Sequence, residues 1–196
     1  MQQVDFLFGD PLLQKDITID NKRLEKYAYK LKKESQGRII SNYGGWQSNQ
    51  LANNDPEMVP LVKGIESMYP MMRKAFGLKD ELRFTINATW VNINSKYNFN
   101  FQHTHFYPGC LYSGTYYVKT PPDCGNIKFI HPNKLFVLSP KFLKIQDATN
   151  TMTGQVPVKA GRIIVFPSWT DHLVLPNESD EDRISIAFNI TGALPS

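Results

Sequence analysis

The segment LRFTINA at residues 82–88 gives the first clear indication of the fold class, because here the sequence adopts a two-residue period. Apolar side chains alternate with polar ones, and residues i and i+2 of a strand project from the same face. The pattern therefore predicts a strand with one buried face. The alternation slips at Trp90-Val91, which favours a β-bulge there.

Further short strands are expected through the rest of the chain. They are rich in β-branched and aromatic residues and are separated by turn-forming clusters such as Pro121-Pro122-Asp123. The predicted strands are 111–119, 126–130, 142–146, 155–159, 162–167, 172–176 and 183–191. Many short strands without intervening helices are typical of a sandwich, barrel or jelly roll. The expected fold class is mainly β with N-terminal helices.

The first 80 residues are expected to be helical. Asp20 is placed to cap a helix with one apolar face, formed by Leu24, Tyr27, Ala28 and Leu31. A second helix is expected to start at Asp55-Pro56, to kink or end at Pro70, and to stop at Gly77.

Length and composition narrow the class of protein. A chain of 196 residues favours a single domain, 1–196, with a helical layer at 1–80 and a β core at 82–193. Its 41% hydrophobic and 12% aromatic residues suffice for a buried core, which excludes a disordered protein. No run approaches the roughly 20 apolar residues of a membrane span.

Neither the net charge nor the cysteine content identifies a binding partner. The net charge of +4 is too small to indicate nucleic acid. Basic residues on the first helix form either a solvated face or a partner-binding patch: Lys22, Arg23, Lys26, Lys30 and Lys33. The N-terminus lacks the basic region of a secretory signal. Cys110 and Cys124 are expected to be reduced thiols in a cytoplasm, the host's if the protein is encoded by a phage.

Histidines provide the first chemical signal. The segment FQHTH at 101–105 places His103 and His105 on one face if it is extended. Imidazole is the commonest metal ligand, and His172 lies at the start of a predicted strand. His131 precedes a proline in an expected turn and is not a predicted ligand.

A second signal follows His172 along the chain. Arg183 and Ser185 share a strand face, and a guanidinium beside a hydroxyl suits a carboxylate. A lone arginine on a strand is ordinarily a surface residue. The order His-x-His, distal His, then Arg-x-Ser favours a site instead.

Separated motifs in a fixed order carry a resemblance to a known family. The matching stretches are His103-Thr104-His105 with Pro108-Gly109, Leu111 with SGTYYV at 113–118, GRIIVFPSWTDH at 161–172, RISIAFN at 183–189, and the loop SNYGGW at 41–46. The set resembles the 2-oxoglutarate/Fe(II)-dependent oxygenases, and more closely the family of these enzymes found in marine bacteria and their phages. The resemblance covers nearly the whole chain.

The resemblance implies a double-stranded β-helix, or jelly roll, and an O2-dependent hydroxylase. Fe(II) and 2-oxoglutarate would be its cofactors, and the metal ligands would be His103, His105 and His172. Arg183 and Ser185 would grip the far carboxylate of 2-oxoglutarate.

Strand parity adds weaker candidates. Tyr117 shares a face with Ser113 and Thr115, so it either reaches the cosubstrate beside Arg183 or packs in the core. Asn92 and Asn94, on the preceding strand, are candidates for cosubstrate or substrate contact.

One ligand departs from the superfamily pattern of two histidines and a carboxylate. His105 occupies the carboxylate position, so three neutral imidazoles leave the metal its full +2 charge. We expect stronger attraction of the 2-oxoglutarate dianion and a weaker hold on the metal. Asp171 could supply a carboxylate, but neighbours on a strand point to opposite faces.

Two other functions stay open at this level. One is a three-histidine dioxygenase that oxidises a directly bound substrate without 2-oxoglutarate. The other is a non-enzymatic jelly roll with a zinc ion or an empty site. The substrate is expected to be a small molecule or a protein side chain, with segments 41–54 and 131–154 as the walls of its pocket.

Overall fold

The computed structural model describes residues 9–132, 141, 144 and 151–195. Its helices are Asn21–Glu34 (α1), Val59–Glu66 (α2) and Tyr69–Phe76 (α3). Its strands are Leu13–Asp16 (β1), Asn42–Tyr43 (β2), Trp46–Gln47 (β3), Arg83–Asn94 (β4), Phe99–His103 (β5), Cys110–Lys119 (β6), Ile127–Ile130 (β7), Thr153–Val156 (β8), Arg162–Pro167 (β9), His172–Val174 (β10) and Arg183–Ala193 (β11). None of the helices in these ranges is long and apolar enough to cross a membrane.

Two antiparallel sheets form the core of the described chain. The six-stranded sheet has the order β1-β9-β6-β11-β4-β3, and the five-stranded sheet has the order β2-β5-β10-β7-β8. This arrangement is the jelly roll that the motifs implied, and it confirms the mainly β class with N-terminal helices.

Strand β11 shows how the sequence builds two buried faces. Its even-numbered residues from Ile184 to Ile190 join the core cluster that packs against the helices. Its odd-numbered residues Arg183, Ser185 and Ala187 line the cavity between the sheets. Fully burying one such isoleucine stabilises the fold by roughly 1.5–3 kcal/mol. The helical layer thus packs against the sheet that carries Arg183 and Ser185.

The bulge in β4 lies at Asn87, and its prediction at Trp90-Val91 was wrong. Asn189 pairs with Ala88 and Ile190 pairs with Ile86, so the intervening residue has no partner. The error arose because β4 is covered on both sides beyond the bulge, where residues 88–94 include no exposed side chain. Beyond the bulge, the half-buried Trp90 faces the cavity. Because this face also holds an apolar residue, the apolar-polar alternation is interrupted at Trp90-Val91 although the strand is regular there.

The N-terminal segment is less helical than expected, since β1 and β3 add strands to the six-stranded sheet and β2 extends the other. Asp20 caps α1 as predicted, accepting the Arg23 N–H at 3.0 Å. The second helical region starts at Val59 rather than at Asp55-Pro56. Residues 54–58 form turns instead.

Pro70 begins a helix instead of ending one. It lies in the first turn of α3, where proline is tolerated because that position needs no N–H donor. The break between α2 and α3 falls at Ser67-Met68. Gly77 ends α3 as predicted, in the left-handed conformation with φ of 59°.

The remaining strand predictions differ mainly at their ends. Strand β9 matches 162–167, while β6, β7 and β11 match within two residues. Strand β8 starts two residues before the predicted 155–159, and β10 ends at Val174. The predicted strand 142–146 lies outside the described residues, except for the single residue 144.

Candidate active site

Three histidines converge between the two sheets. His103 ends β5 and His172 begins β10, and the two are direct cross-strand partners. His105 follows in a loop whose position is fixed by its N–H, which donates to the Ser168 carbonyl at 2.8 Å. One ligand atom from each imidazole lies within 4.8 Å of the others.

Backbone carbonyls orient two of these rings. The Nδ1 of His103 lies 2.7 Å from the Phe101 carbonyl oxygen, and the Nδ1 of His172 lies 3.0 Å from that of Thr170. A carbonyl only accepts, so Nδ1 carries the proton in both rings. Nε2 therefore keeps a free lone pair, which is the usual arrangement of metal-binding histidines.

Burial keeps the three imidazoles neutral. It lowers the pKa of His103, and it lowers the pKa of His105 to about 4 and that of His172 to about 3, with neighbouring imidazoles adding to both shifts. The Phe166 ring packs 4.6 Å from His172, centroid to centroid. Neutral imidazole is the form that binds metal, so this cluster is ready for a cation near neutral pH.

The donor set fits a divalent transition metal such as Fe(II), for which imidazole is a suitable ligand. Within the described ranges, the metal-binding group consists of histidines alone. Asp171 does not join it, although its charge raises the pKa of His103 slightly against the effect of burial. Asp171 therefore does not supply the carboxylate ligand that the superfamily pattern has at the position of His105.

Within the described chain, the Arg183 guanidinium is hydrogen-bonded through Nη1 but not through Nη2. Its side chain is only 1% exposed. Its Nη1 donates to the carbonyl oxygens of Cys124, Gly125 and Leu175, at 2.6, 3.1 and 3.2 Å. Its Nη2 is buried and has no hydrogen-bond partner among the described residues. Because a buried charged donor without an acceptor is costly, this group calls for an anion.

We call the three carbonyls around Nη1 the carbonyl cradle. Gly125 has φ of +78°, and a Cβ there would collide with the carbonyl oxygens of Leu175 and Pro176. Only glycine allows this close approach. Sequence reasoning missed the cradle, since the only available signal was the turn composition of Asp123-Cys124-Gly125.

Cross-strand pairing groups the other candidates around Arg183. Ser185 lies opposite Tyr117 on one side and Asn92 on the other. Arg183 lies opposite Asn94, whose Nδ2 is 3.4 Å from Asn100 Oδ1. Burial raises the pKa of Tyr117, so its phenol stays neutral and can donate. The Oδ1 of Asn92 is buried and accepts no hydrogen bond within the described part of the chain.

All of these residues line one cavity of about 320 Å³. It brings together every predicted site residue: His103, His105, His172, Arg183, Ser185, Tyr117 and Asn94. Ser41 and Gln47 also line it, in agreement with the wall predicted at 41–54. Most of the other predicted wall, 131–154, lies outside the described residues. Arg183 is the one Lys, Arg, Asp or Glu in the lining of the described chain.

Residues 88–189 match the model of the family described as "Putative 2OG-Fe(II) oxygenase". The matched segment covers more than half of the chain and includes all seven predicted site residues. The chain belongs to this family. Fe(II) and 2-oxoglutarate (2OG) are therefore the cofactors of this 2OG-Fe(II) oxygenase, and O2 is a reactant. This membership favours the oxygenase over the two alternative functions.

Solved structures share the fold of this 2OG-Fe(II) oxygenase. A prolyl-4-hydroxylase from Pseudomonas putida is 13% identical with a TM-score of 0.61, over 94% of this chain and 93% of that one. A viral collagen prolyl hydroxylase from Paramecium Bursaria Chlorella virus-1, in a 2OG complex, is 15% identical with a TM-score of 0.59, over 93% and 96%.

A third structure is a prolyl hydroxylase bound to a hypoxia inducible factor peptide fragment, from Trichoplax adhaerens. It is 13% identical with a TM-score of 0.63, over 93% of this chain and 83% of that one. These identities support the fold alone. No curated protein matches the sequence.

Proposed function

We propose that this oxygenase is a hydroxylase whose metal is held by His103, His105 and His172. Arg183 would anchor 2OG in the same cavity. The observation that carries the proposal is the buried, unpartnered Nη2 of Arg183, which shares a cavity with three neutral imidazoles.

Iron held by the three imidazoles would activate O2, so that one oxygen atom oxidises 2OG to succinate and CO2 and the other enters a substrate C–H bond. The chain's own part is to bind and orient the reactants. The hydrogen bonds from His103 and His172 to backbone carbonyls fix both rings before a metal arrives.

The cosubstrate would be oriented by charge and by hydrogen bonds. Arg183 Nη2 would donate to the far carboxylate of 2OG, since the carbonyl cradle occupies Nη1. The Ser185 hydroxyl and the Tyr117 phenol lie beside it on paired strands and would add donors. Charge-assisted bonds of this kind are about twice as strong as neutral ones.

Apolar walls would keep bulk water from the reacting groups. Trp90, Phe166 and Val174 line the cavity next to the histidines. The Trp90 ring lies 5.7 Å from His105, centroid to centroid. Such walls strengthen the electrostatic interactions inside the site.

The substrate would be a small molecule or a protein side chain. A prolyl hydroxylase of the same fold is bound to a peptide fragment, which supports the second class.

Succinate release tests the proposed function. Protein supplied with Fe(II), 2OG, O2 and ascorbate should form succinate even without substrate, because ascorbate can reduce the second oxygen atom to water, and the His172→Ala variant should not. A three-histidine dioxygenase that needs no 2OG would oxidise its substrate without succinate. Folded, iron-loaded wild-type protein that releases none would refute the proposal.

A further inference from the structure

We infer that Asp10 is a positioning residue for the proposed metal site, because its carboxylate holds the loop that orients the His172 ring. The inference rests on the proposed metal site and extends it to a residue that is not itself a ligand. Asp10 lies outside residues 88–189, the segment that matches the family model. We call residues 168–171, which connect β9 to β10, the ligand loop.

The ligand loop holds two of the three histidines through its backbone. The Ser168 carbonyl accepts the N–H of His105 at 2.8 Å. The Thr170 carbonyl oxygen lies 3.0 Å from Nδ1 of His172. Partners just outside the ligands fix the orientation of a metal-binding ring. The shape of this loop therefore sets the place of His105 and the direction of the His172 ring.

Backbone bonds to neighbouring strands fasten both ends of the ligand loop. The N–H of the fully buried Ser168 donates to the Leu111 carbonyl at 3.1 Å, and its hydroxyl donates to the Cys110 carbonyl at 2.7 Å. At the other end, the Asp171 carbonyl accepts the N–H of Ile130 at 2.9 Å. These bonds fix where the loop begins and where it ends.

The centre of the ligand loop is held by Asp10. Its Oδ1 accepts the indole N–H of Trp169 at 3.1 Å, and its Oδ2 accepts the hydroxyl of Thr170 at 3.0 Å. Hydrogen bonds to a carboxylate are stronger than bonds to a neutral acceptor. Thr170 thus bonds Asp10 through its hydroxyl and His172 through its carbonyl. A single residue links the carboxylate to the proposed metal ligand.

Strand β1 brings Asp10 to the ligand loop. Leu13 lies opposite Val165 in the antiparallel pair of β1 with β9. From Leu13 toward the N-terminus, the chain therefore runs in the direction in which β9 leads into the loop. Pro11 favours an extended conformation for the residue before it, which keeps Asp10 on this line.

The contact gives a role to two motif residues that the proposed function leaves unused. Trp169 and Thr170 belong to the motif at 161–172, which ends in His172. Neither is among the residues that line the cavity of the described chain. Both donate to Asp10, so they act on the site from outside the cavity, through the shape of the loop.

The affinity for Mn(II) measures the effect of Asp10. Asp10→Ala should raise the Kd of Mn(II), titrated into the metal-free full-length protein, by about three- to tenfold. Losing a partner that touches a ligand commonly weakens metal binding by about 10- to 100-fold, and Asp10 acts one residue further out. Asp10→Asn should recover most of the affinity, because the amide can accept from Trp169 and donate to the Thr170 hydroxyl.

A double-mutant cycle assigns the effect to the hydrogen bond with Thr170. Thr170→Val removes the hydroxyl and keeps the backbone carbonyl that faces His172. If Asp10 acts through this hydroxyl, Asp10→Ala should weaken Mn(II) binding less in the Thr170→Val protein than in the wild type.

Asp16→Ala is the matched control, because Asp16 lies on the same N-terminal segment. Its carboxylate accepts from Arg162 Nε at 2.7 Å and from Lys159 Nζ at 2.9 Å, at the end of β1 away from the ligand loop. This variant should keep the wild-type affinity for Mn(II), even where it loosens the segment. Circular dichroism and urea unfolding show that each variant is folded.

Three results would overturn this inference alone. They are a wild-type affinity for Mn(II) in Asp10→Ala, an equal loss in Asp10→Ala and Asp16→Ala, and strictly additive effects of the Asp10 and Thr170 substitutions. A wild-type protein that binds no Mn(II), or a His172→Ala protein that binds it equally well, would overturn the proposed metal site and this inference with it.

Discussion

The guanidinium of Arg183 donates to the Gly125 carbonyl at 3.1 Å, in a turn that only glycine can form at that position. This contact links a loop that holds Arg183 through its backbone carbonyls to the proposed cosubstrate anchor. A Cβ at Gly125 would push the turn away from Leu175 and Pro176 and so tilt the guanidinium.

Gly125→Ala should therefore raise the Kd of 2OG by about tenfold, the effect of losing or misplacing one charge-assisted hydrogen bond. Mn(II) affinity should stay unchanged, because the histidines lie on other segments. Calorimetric titration of 2OG into Mn(II)-loaded protein measures the first affinity, and titration of Mn(II) into metal-free protein measures the second. Gly154→Ala is the control, since a Cβ there meets no atom within 4 Å. Equal 2OG affinity in the two variants would show that the cradle does not position Arg183.

Tyr117→Phe separates the two roles left open for that residue. If the phenol donates to 2OG, its removal should weaken 2OG binding about three- to tenfold, the size of one net hydrogen bond. The comparison is Tyr112→Phe, whose hydroxyl donates to the Met72 carbonyl at 2.7 Å in the core. That variant should lose stability in urea unfolding and keep its 2OG affinity. A Tyr117→Phe protein with wild-type affinity would assign Tyr117 to packing.

The buried histidines predict a pH-dependent stability of the metal-free protein. The folded-state pKa is about 4 for His105 and about 3 for His172, below the unfolded value near 6.5. The unfolded chain therefore binds more protons below about pH 6.5, and stability falls as pH falls. At about pH 5, each of these two histidines should lower the free energy of unfolding by about 2 kcal/mol relative to its value above pH 6.5.

Urea unfolding between about pH 8 and pH 5 measures this loss, above the range in which most carboxyl groups titrate. His172→Ala should lower the baseline stability but show a shallower pH dependence. An identical pH dependence in wild type and variant would mean that His172 is not held neutral.

Restoring the superfamily's carboxylate tests the charge argument. His105→Asp places a negative ligand where the chain has an imidazole, and so lowers the charge of the loaded site by one. We expect tighter Mn(II) binding and weaker 2OG binding, each by several fold, in titrations of the two ligands. A variant with unchanged 2OG affinity would show that the three-histidine set does not tune the cosubstrate.

The parts of the site that could be predicted from sequence are the side chains whose direction follows from the two-residue period of a strand. His172 and His103 lie on strands, and the parity of β11 correctly placed Arg183 and Ser185 on one face. The carbonyl cradle could not be predicted in this way. It joins loops that are distant in sequence, and backbone carbonyls leave no residue-type signal.

The errors in the fold have similar causes. The bulge at Asn87 was missed because both faces of β4 are covered beyond it, so the apolar Trp90 lies on the cavity side and not on the helix-facing side. Strands β2 and β3 have two residues each, too few to show a period. Helix α3 starts at Tyr69 beside a proline, a position where proline can begin a helix as readily as end one.

The most direct test of the three-histidine site with Arg183 as anchor is anaerobic addition of Fe(II) and 2OG. We expect a visible metal-to-ligand charge-transfer band in the wild-type protein. The band should be lost in His172→Ala and weakened in Arg183→Ala. A folded, iron-loaded wild-type protein without the band, or a band unaffected by both substitutions, would show that these residues do not form a site for Fe(II) and 2OG.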